Sequence, residues 1–114
     1  MKQISCLTDA EKAIQVSALC AAVNDNARLL GQSYEVSYGV VDRYTCHKKA
    51  ALEIIEKIGD STFRIAALGT LISLCMTARD IADAEGLLQK VTAGSVRNQL
   101  LAAYPELLNE SRST

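Results

Sequence analysis

The sequence repeats one helix-capping pattern at a constant interval of 35 residues. Asp25, Asp60 and Ser95 are each 35 residues apart, and Asp and Ser are residue types that commonly cap the N-terminus of a helix. Each of the three stands between two segments whose apolar residues recur with helical periodicity. An interval of about 34 or 35 residues with one cap per unit is typical of stacked helix-turn-helix repeats. The interval therefore predicts an all-α fold built from helix hairpins.

The composition fits one helical domain. A chain of 114 residues can bury one sizeable core but not two. A hydrophobic fraction of 49 % with a charged fraction of 22 % argues against disorder. The chain has one proline and no run of alternating β-branched residues, so a sheet is not expected. Because the formal net charge is −1, no long-range field would attract a nucleic acid, and we expect none as a partner.

Periodicity and capping signals divide the chain into about six helices. Thr8 followed by Glu11 forms a capping-box pattern before the first helix, and Asp80 is a cap candidate before the fifth. Pro105 removes a backbone donor inside the sixth, so that helix either kinks there or stops near Tyr104 and a short last helix follows. The predicted helices cover about residues 9–22, 26–43, 47–58, 61–78, 81–91 and 96–109. Taken in pairs, they predict three stacked antiparallel hairpins in a single domain. These hairpins cover about residues 8–44, 45–79 and 80–110, with a frayed tail at 111–114.

An apolar stripe occurs twice and supports the repeat. The third and fifth predicted helices carry the same residue classes 33 positions apart: Ala51, Ile54, Ile55 and Ile58 in one, and Ala84, Leu87, Leu88 and Val91 in the other. A stripe repeated in this way indicates the same packing role in both helices. The fourth helix is apolar nearly all round, which predicts a central position covered on several sides.

The fourth and fifth helices together resemble a tetratricopeptide-type repeat. The resemblance rests on small and large apolar residues at matching spacing: Leu68, Leu71, Ile72, Cys75, Ala84, Leu88 and Val91. Ile72 replaces a usual small residue, Cys75 and Leu88 stand at aromatic positions, and Val96 replaces the closing proline. The resemblance implies a TPR-like α-solenoid that binds other proteins, and no family site residues carry over because they vary with the ligand. Tetratricopeptide-like chaperones of type III secretion needle subunits are similar in size and architecture.

Side chains that could carry catalysis do not converge in the sequence. The single histidine, His47, directly follows Cys46, and neighbouring helical residues point about 100° apart, so the two do not form a nucleophile–base pair. Solvated helix faces account for the spacing of the carboxylate pairs Glu53/Glu56 and Asp80/Asp83, and for the basic cluster of Arg43, His47, Lys48 and Lys49. No Cys/His metal spacing and no Gly-rich phosphate loop is present. We predict a protein that is not an enzyme, with no catalytic residue, cofactor or metal.

Cysteine placement and hydropathy predict a cytoplasmic chain. Cys20 and Cys75 fall on apolar helix stretches and are interpreted as small buried hydrophobic residues with free thiols. The N-terminal residues 1–9 lack the apolar segment of a secretory signal. The longest uncharged stretch, residues 65–78, is too short to span a bilayer, so membrane insertion is not expected.

A local excess of tyrosine suggests where a partner binds. Three of the four tyrosines of the chain lie within residues 34–44, at the end of the predicted second helix, and tyrosine is enriched at protein interfaces. We therefore predict an adaptor or chaperone that holds a partner helix or peptide in a helical-repeat groove. The candidate partner-binding residues are Tyr34, Tyr38, Val41 and Tyr44. Two alternatives stay open: these tyrosines face the neighbouring hairpin, or the chain is a self-associating module that forms a homodimer. RNA binding and catalysis are less favoured.

Overall fold

The computed structural model describes residues 8–32, 37–92, 94–105 and 107. These residues form six α-helices and no strand, so the predicted all-α class is confirmed. The helices are α1 (Asp9–Ala22), α2 (Asn24–Gln32), α3 (Tyr38–Glu56), α4 (Ser61–Thr77), α5 (Ile81–Leu88) and α6 (Gly94–Ala103). The predicted tail at 111–114 lies outside the described residues. The stacking of hairpins into a solenoid stays a prediction.

Helix α4 is the centre of the fold, as its all-round apolar sequence predicted. It packs against α1, α2, α3 and α5, and α1 also packs along α3. The buried side chains of α4 are Ala67, Leu68, Leu71, Ile72, Leu74, Cys75 and Met76. At 100° per residue they cover roughly 200° of the helix circumference, so α4 can be covered on several sides at once.

The predicted boundary between the second and third helices is wrong. Helix α3 begins after Ser37, whose hydroxyl accepts a hydrogen bond from the backbone N–H of Val40 at 3.4 Å. It then continues to Glu56, so the predicted ends at residues 43 and 47 and the hairpin boundary near 44 all lie inside one helix. Residues 40–56 contain neither glycine nor proline, so nothing in this stretch interrupts the backbone hydrogen bonds.

Of the three caps spaced at 35 residues, one has the predicted role. The carboxylate of Asp60 accepts hydrogen bonds from the N–H groups of Thr62 and Phe63, at 2.8 and 3.1 Å. Asp25 and Ser95 instead lie in the first turns of α2 and α6, so their assignment as N-caps is wrong. Asp25 lies inside α2 because the chain enters this helix directly after α1. The carbonyl of residue 23 already accepts the N–H of residue 27 at 2.9 Å, so the helix starts before Asp25.

The N-terminal turn of α1 holds the α3–α4 connection. Thr8 and Glu11 form the predicted capping box, with hydrogen bonds of 3.1 and 2.8 Å. In the same turn, Asp9 accepts the backbone N–H of Asp60 at 2.8 Å. The nearly buried ammonium of Lys12 donates to the carbonyl of Lys57, the C-cap of α3, at 3.0 Å. A cation at a helix C-terminus and a carboxylate near a helix N-terminus are both electrostatically favourable.

Helix α4 ends in a Schellman turn that sets the direction of α5. Arg79 adopts a left-handed conformation with φ of 60°. The N–H of Asp80 bonds to the carbonyl of Cys75 at 2.8 Å, and that of Arg79 bonds to the carbonyl of Met76 at 3.1 Å. Asp80 precedes α5, but its side chain makes no cap hydrogen bond. That carboxylate is directed at α3 instead.

The C-terminal part of the described chain resolves the alternatives at Pro105. Helix α6 ends at Ala103, before the proline, and the chain makes a further turn in which the N–H of Leu107 bonds to the carbonyl of Tyr104 at 3.0 Å. The helix therefore stops near Tyr104 rather than kinking. The Tyr104 hydroxyl lies 2.7 Å from the Ser73 hydroxyl of α4, and Leu107 is fully buried. These two contacts hold the end of the described chain against the core.

Candidate functional site

The structure separates the tyrosines that the sequence grouped together. Tyr38 is 89 % exposed and Val41 is half-buried, whereas Tyr44 is 4 % exposed and belongs to the core. Tyr34 lies outside the described residues. Since Tyr38 and Tyr44 are six residues apart in one helix, their side chains point roughly 120° apart. The prediction that they share one surface is wrong, and Tyr44 faces a neighbouring helix as the alternative interpretation proposed.

Tyr44 and Lys48 join α3 to the start of α5. The Tyr44 hydroxyl donates to Asp80 at 3.0 Å, and the Lys48 ammonium donates to the same carboxylate oxygen at 2.7 Å. Lys48 also contacts Asp83 at 2.5 Å, and its nitrogen lies 5.0 Å from the centre of the Tyr44 ring. The solvated-face interpretation is therefore wrong for Lys48 and Asp80, whose side chains are 19 % and 27 % exposed.

The environment of this cluster shifts the protonation equilibria of its members. Burial lowers the pKa of Lys48, but the hydrogen bonds to Asp80 and Asp83 outweigh it and raise the pKa above its ordinary value. Burial also raises the pKa of the Tyr44 phenol, and the neighbouring Cys75 and Asp80 raise it further. Burial raises the pKa of the Cys75 thiol to about 11. Lys48 is therefore charged and Tyr44 and Cys75 are neutral at physiological pH.

A groove runs between α3 and α5 above α4. Helices α3 and α5 both pack on α4. In the described part of the chain the backbones of α3 and α5 approach each other at few points, and side chains such as Lys48 span the gap between them. The groove contains two adjoining depressions. The first has a volume of about 390 Å³ and is lined by Lys48, Lys49, Leu52, Leu71, Ala82, Asp83, Gly86, Leu87 and Lys90. The second has a volume of about 380 Å³ and is lined by Leu52, Ile55, Glu56, Arg64, Ile65, Leu68, Lys90 and Thr92. Since Leu52 and Lys90 line both, we call the two together the α3–α5 groove.

The α3–α5 groove combines an apolar floor with a basic rim. Its lining carries four cations and two carboxylates. Lys48 is paired with two aspartates, but Lys49, Arg64 and Lys90 are exposed and form no ion pair among the described residues. The groove is therefore locally positive on a chain whose formal net charge is −1. Apolar floors with a few charged groups at the edge are common in sites that bind peptides.

A slightly larger cavity between α1 and α4 offers less to a ligand. Its volume is about 410 Å³, and small side chains such as Ser17, Ala21 and Thr70 line it. Three of its four hydroxyls are already used within the fold: Thr70 donates to the Ala66 carbonyl, Thr77 donates to the Ser73 carbonyl, and the Ser73 hydroxyl contacts Tyr104. The described residues that line this cavity provide neither a broad apolar floor nor charged groups at its rim, so the α3–α5 groove is the stronger candidate.

The remaining reactive side chains are dispersed. In α3, His47 Nδ1 lies 3.0 Å from the carbonyl oxygen of Arg43, one turn earlier, and Cys46 is exposed. Cys20 and Cys75 are free and buried, as predicted. Within the described ranges, no group of three or more His, Cys, Asp or Glu residues could hold a metal ion. No helix of the described residues combines the length and hydropathy that a membrane span needs.

Comparison with protein-family models, with curated proteins and with solved structures found no match to this chain. Sequence reasoning missed the α3–α5 groove and the Lys48–Asp80 pair, because the paired residues are 32 positions apart. One usable signal was present: Ala51, Ile54 and Ile55 define one apolar stripe of α3, and Leu52 stands beside it as an additional apolar residue.

Proposed function

We propose that this chain is a non-catalytic protein-interaction module, an adaptor or chaperone that holds a helix or peptide of a partner protein in the α3–α5 groove. The observation that carries the proposal is the pair of adjoining apolar depressions with unpaired cations at the rim. Helical proteins commonly bind partners by placing an amphipathic segment in such a groove. Burying one Leu-sized side chain of the partner in a depression would contribute about 1.5–3 kcal/mol.

The structure changes which residues we propose as partner contacts. Tyr44 is excluded as a direct partner contact because it is buried, but its hydroxyl keeps Asp80 and hence α5 in place. Tyr38 is exposed at the start of α3, and Val41 is half-buried one turn later, so both remain candidates for peripheral contacts. The groove residues Leu52, Lys90 and their neighbours become the principal site.

The resemblance to tetratricopeptide repeats supports a binding role of this kind, since repeats of that type present grooves to other proteins. A cytoplasmic location follows as part of the same proposal. The narrower role, as a chaperone of type III secretion needle subunits, is supported by the size of the chain and its helical class.

Self-association is a second candidate function, favoured by an exposed face of α1. Ile14 is 67 % exposed, and Ala18 and Ala21 on the same side of the helix are also exposed. An exposed isoleucine beside small residues allows two copies of a helix to approach closely. A homodimer formed through this face would leave the α3–α5 groove open.

Photo-crosslinking from single positions distinguishes these proposals. Gly86 lines the first depression, and a Cβ built there meets no described atom within 4 Å outside the neighbouring backbone of its own helix, so a photoreactive side chain can be attached there without a clash at the Cβ. Gly69 in α4 has equally open space but lines neither depression, and it serves as the matched control. Position 18 samples the α1 face. We expect a cellular adduct with a second protein from position 86 and not from position 69.

The outcomes of this experiment differ in mass and position. An adduct of twice the chain mass from position 18, together with a dimeric mass by light scattering, would support self-association. Equal labelling from positions 86 and 69 would contradict a binding site in the groove.

A further inference from the structure

We infer that the α3–α5 groove accepts an acidic amphipathic helix, which inserts two apolar side chains one helical turn apart and sets carboxylates against Lys49, Arg64 and Lys90. This inference rests on the proposed function and specifies the chemistry of the partner. It follows from the spacing of the two depressions, the type of groups in the floor and the positions of the unpaired cations.

The spacing of the depressions matches one turn of a helix. Along α3, the first depression lies beside residues 48–52 and the second beside residues 52–56. Their centres are therefore about four residues apart, or roughly 6 Å at 1.5 Å per residue. Along α4 the order is reversed, with Leu71 at the first depression and Arg64 to Leu68 at the second, so the two helices run antiparallel beside the groove. Side chains at positions i and i+4 of a bound helix have the same separation.

The nature of the floor favours a helix over an extended peptide. An extended segment would place its side chains at a similar spacing, but its backbone N–H and C=O groups would need partners. The floor offers the apolar side chains of Leu52, Leu71 and Leu87, and the walls are helices whose backbone groups bond within themselves. A helix brings its own backbone hydrogen bonds, so it can be buried there without leaving polar groups unsatisfied. Gly86, which lines the first depression without a side chain, leaves room for close approach.

The cations extend along the whole groove. Lys49 lies at the first depression, Lys90 is shared by both, and Arg64 lies at the second. The carboxylate of Asp83 is engaged by Lys48, so Glu56 at the second depression is the one described lining carboxylate that offsets these three cations. A partner helix with Asp or Glu beside its apolar stripe would complement this arrangement, whereas a basic helix would meet like charge at three points.

Synthetic peptides test the inference directly on the intact chain. The reference is a fluorescent helical peptide of about 18 residues, long enough to form a helix in water, with leucines at i and i+4 flanked by glutamates. A second peptide replaces the glutamates with lysines. A third keeps the glutamates but places the leucines at i and i+2, which puts them on different faces of a helix. By fluorescence anisotropy we expect the reference to bind at least about tenfold more tightly than either control peptide.

A charge reversal in the chain links this preference to the groove. We expect Lys90→Glu to weaken the reference peptide at least about tenfold and to improve binding of the lysine peptide. Arg64→Glu should act in the same direction, and both residues are exposed, so the fold should tolerate the changes. Lys57→Glu, an exposed lysine that lines neither depression, is the matched control and should leave both affinities unchanged.

Several results would overturn the inference. Equal binding of the three peptides, or equal effects of Lys57→Glu and Lys90→Glu, would show that the groove does not discriminate between peptides by their charge and by the spacing of their leucines. A partner crosslinked from position 86 together with no binding of any peptide would refute the acidic helix while leaving the proposed function intact. A homodimer that Lys90→Glu dissociates would identify a second copy of the chain as the occupant instead.

Discussion

Replacing Gly31 with alanine should destabilise the protein, although the same change at two other helical glycines should stabilise it. Gly31 lies near the end of α2, where a Cβ atom would come within 2.2 Å of the carbonyl oxygen of Thr77 in α4. At Gly69 and Gly86, a Cβ atom would meet no described atom within 4 Å outside the neighbouring backbone of its own helix. The three variants therefore share one chemical change and differ only in the space available to it.

The magnitude follows from opposing terms. An ordinary contact between carbon and a carbonyl oxygen is about 3.3 Å or longer, so α2 must move away from α4 by about 1 Å to accept a methyl group. The carbonyl oxygen belongs to the main chain, and the position of a Cβ is fixed by its own backbone, so no side-chain rotation can relieve the contact. Overpacking of this kind costs about 1–3 kcal/mol. Alanine also gains about 0.5–1 kcal/mol over glycine inside a helix, and this gain applies at all three sites.

Urea unfolding followed by circular dichroism measures the difference. Gly69→Ala and Gly86→Ala should raise the free energy of unfolding by about 0.5–1 kcal/mol. The free energy of unfolding of Gly31→Ala should be about 1–3 kcal/mol lower than that of these two variants, and its dependence on urea concentration should be unchanged. If Gly31→Ala is as stable as Gly69→Ala, then α2 does not pack against the C-terminal end of α4 as described, and the reasoning fails.

Three further predictions concern the core and the link between α3 and α5. Lys48→Met should lower the free energy of unfolding by about 1–3 kcal/mol in urea titrations, because it leaves the half-buried Asp80 carboxylate without its cation; an unchanged value would show that the pair does not stabilise α5. Ala84→Leu should cost about 1–3 kcal/mol, because Ala84 is fully buried, whereas Ala82→Leu on the exposed side of the same helix should be nearly neutral in thermal melts. Burial raises the pKa of the thiols of Cys20 and Cys75 from 9.0 to about 11. The contribution of these raised pKa values to the free energy of unfolding is therefore complete below pH 9. It is lost as the pH rises toward 11, by about 2–3 kcal/mol for each thiol. The double Cys→Ala variant should show a much shallower decline of stability over that pH range, and an equal slope would contradict the shifts.

The elements that could be predicted are those whose signals are local. The capping box at Thr8 and the cap at Asp60 use side chains within three residues of the groups they bond, so residue type and spacing were sufficient. The central position of α4 followed from a sequence that is apolar nearly all round the helix. The burial of Ala84 followed from a stripe with helical spacing.

The errors arose where packing decided between locally acceptable alternatives. Nothing between residues 40 and 56 interrupts a helix, yet we predicted a break between residues 43 and 47. Tyr44 became a core residue because the Schellman turn after α4 brings Asp80, 36 residues later, to its hydroxyl. Asp80 consequently accepts hydrogen bonds from side chains of α3 and does not cap α5.

The sequence by itself determined the helical class, most helix positions and the residues that form the core, because these depend on periodicity and on hydrogen bonds between near neighbours. Only the tertiary structure decided which polar residues pair and where a groove remains. Both depend on the distance between α3 and α5 where they cross α4. At that crossing Lys48 spans the gap between α3 and α5, and Leu52 and Leu71 line the floor of the groove. That distance is a property of packed helices, and no segment of the chain encodes it alone.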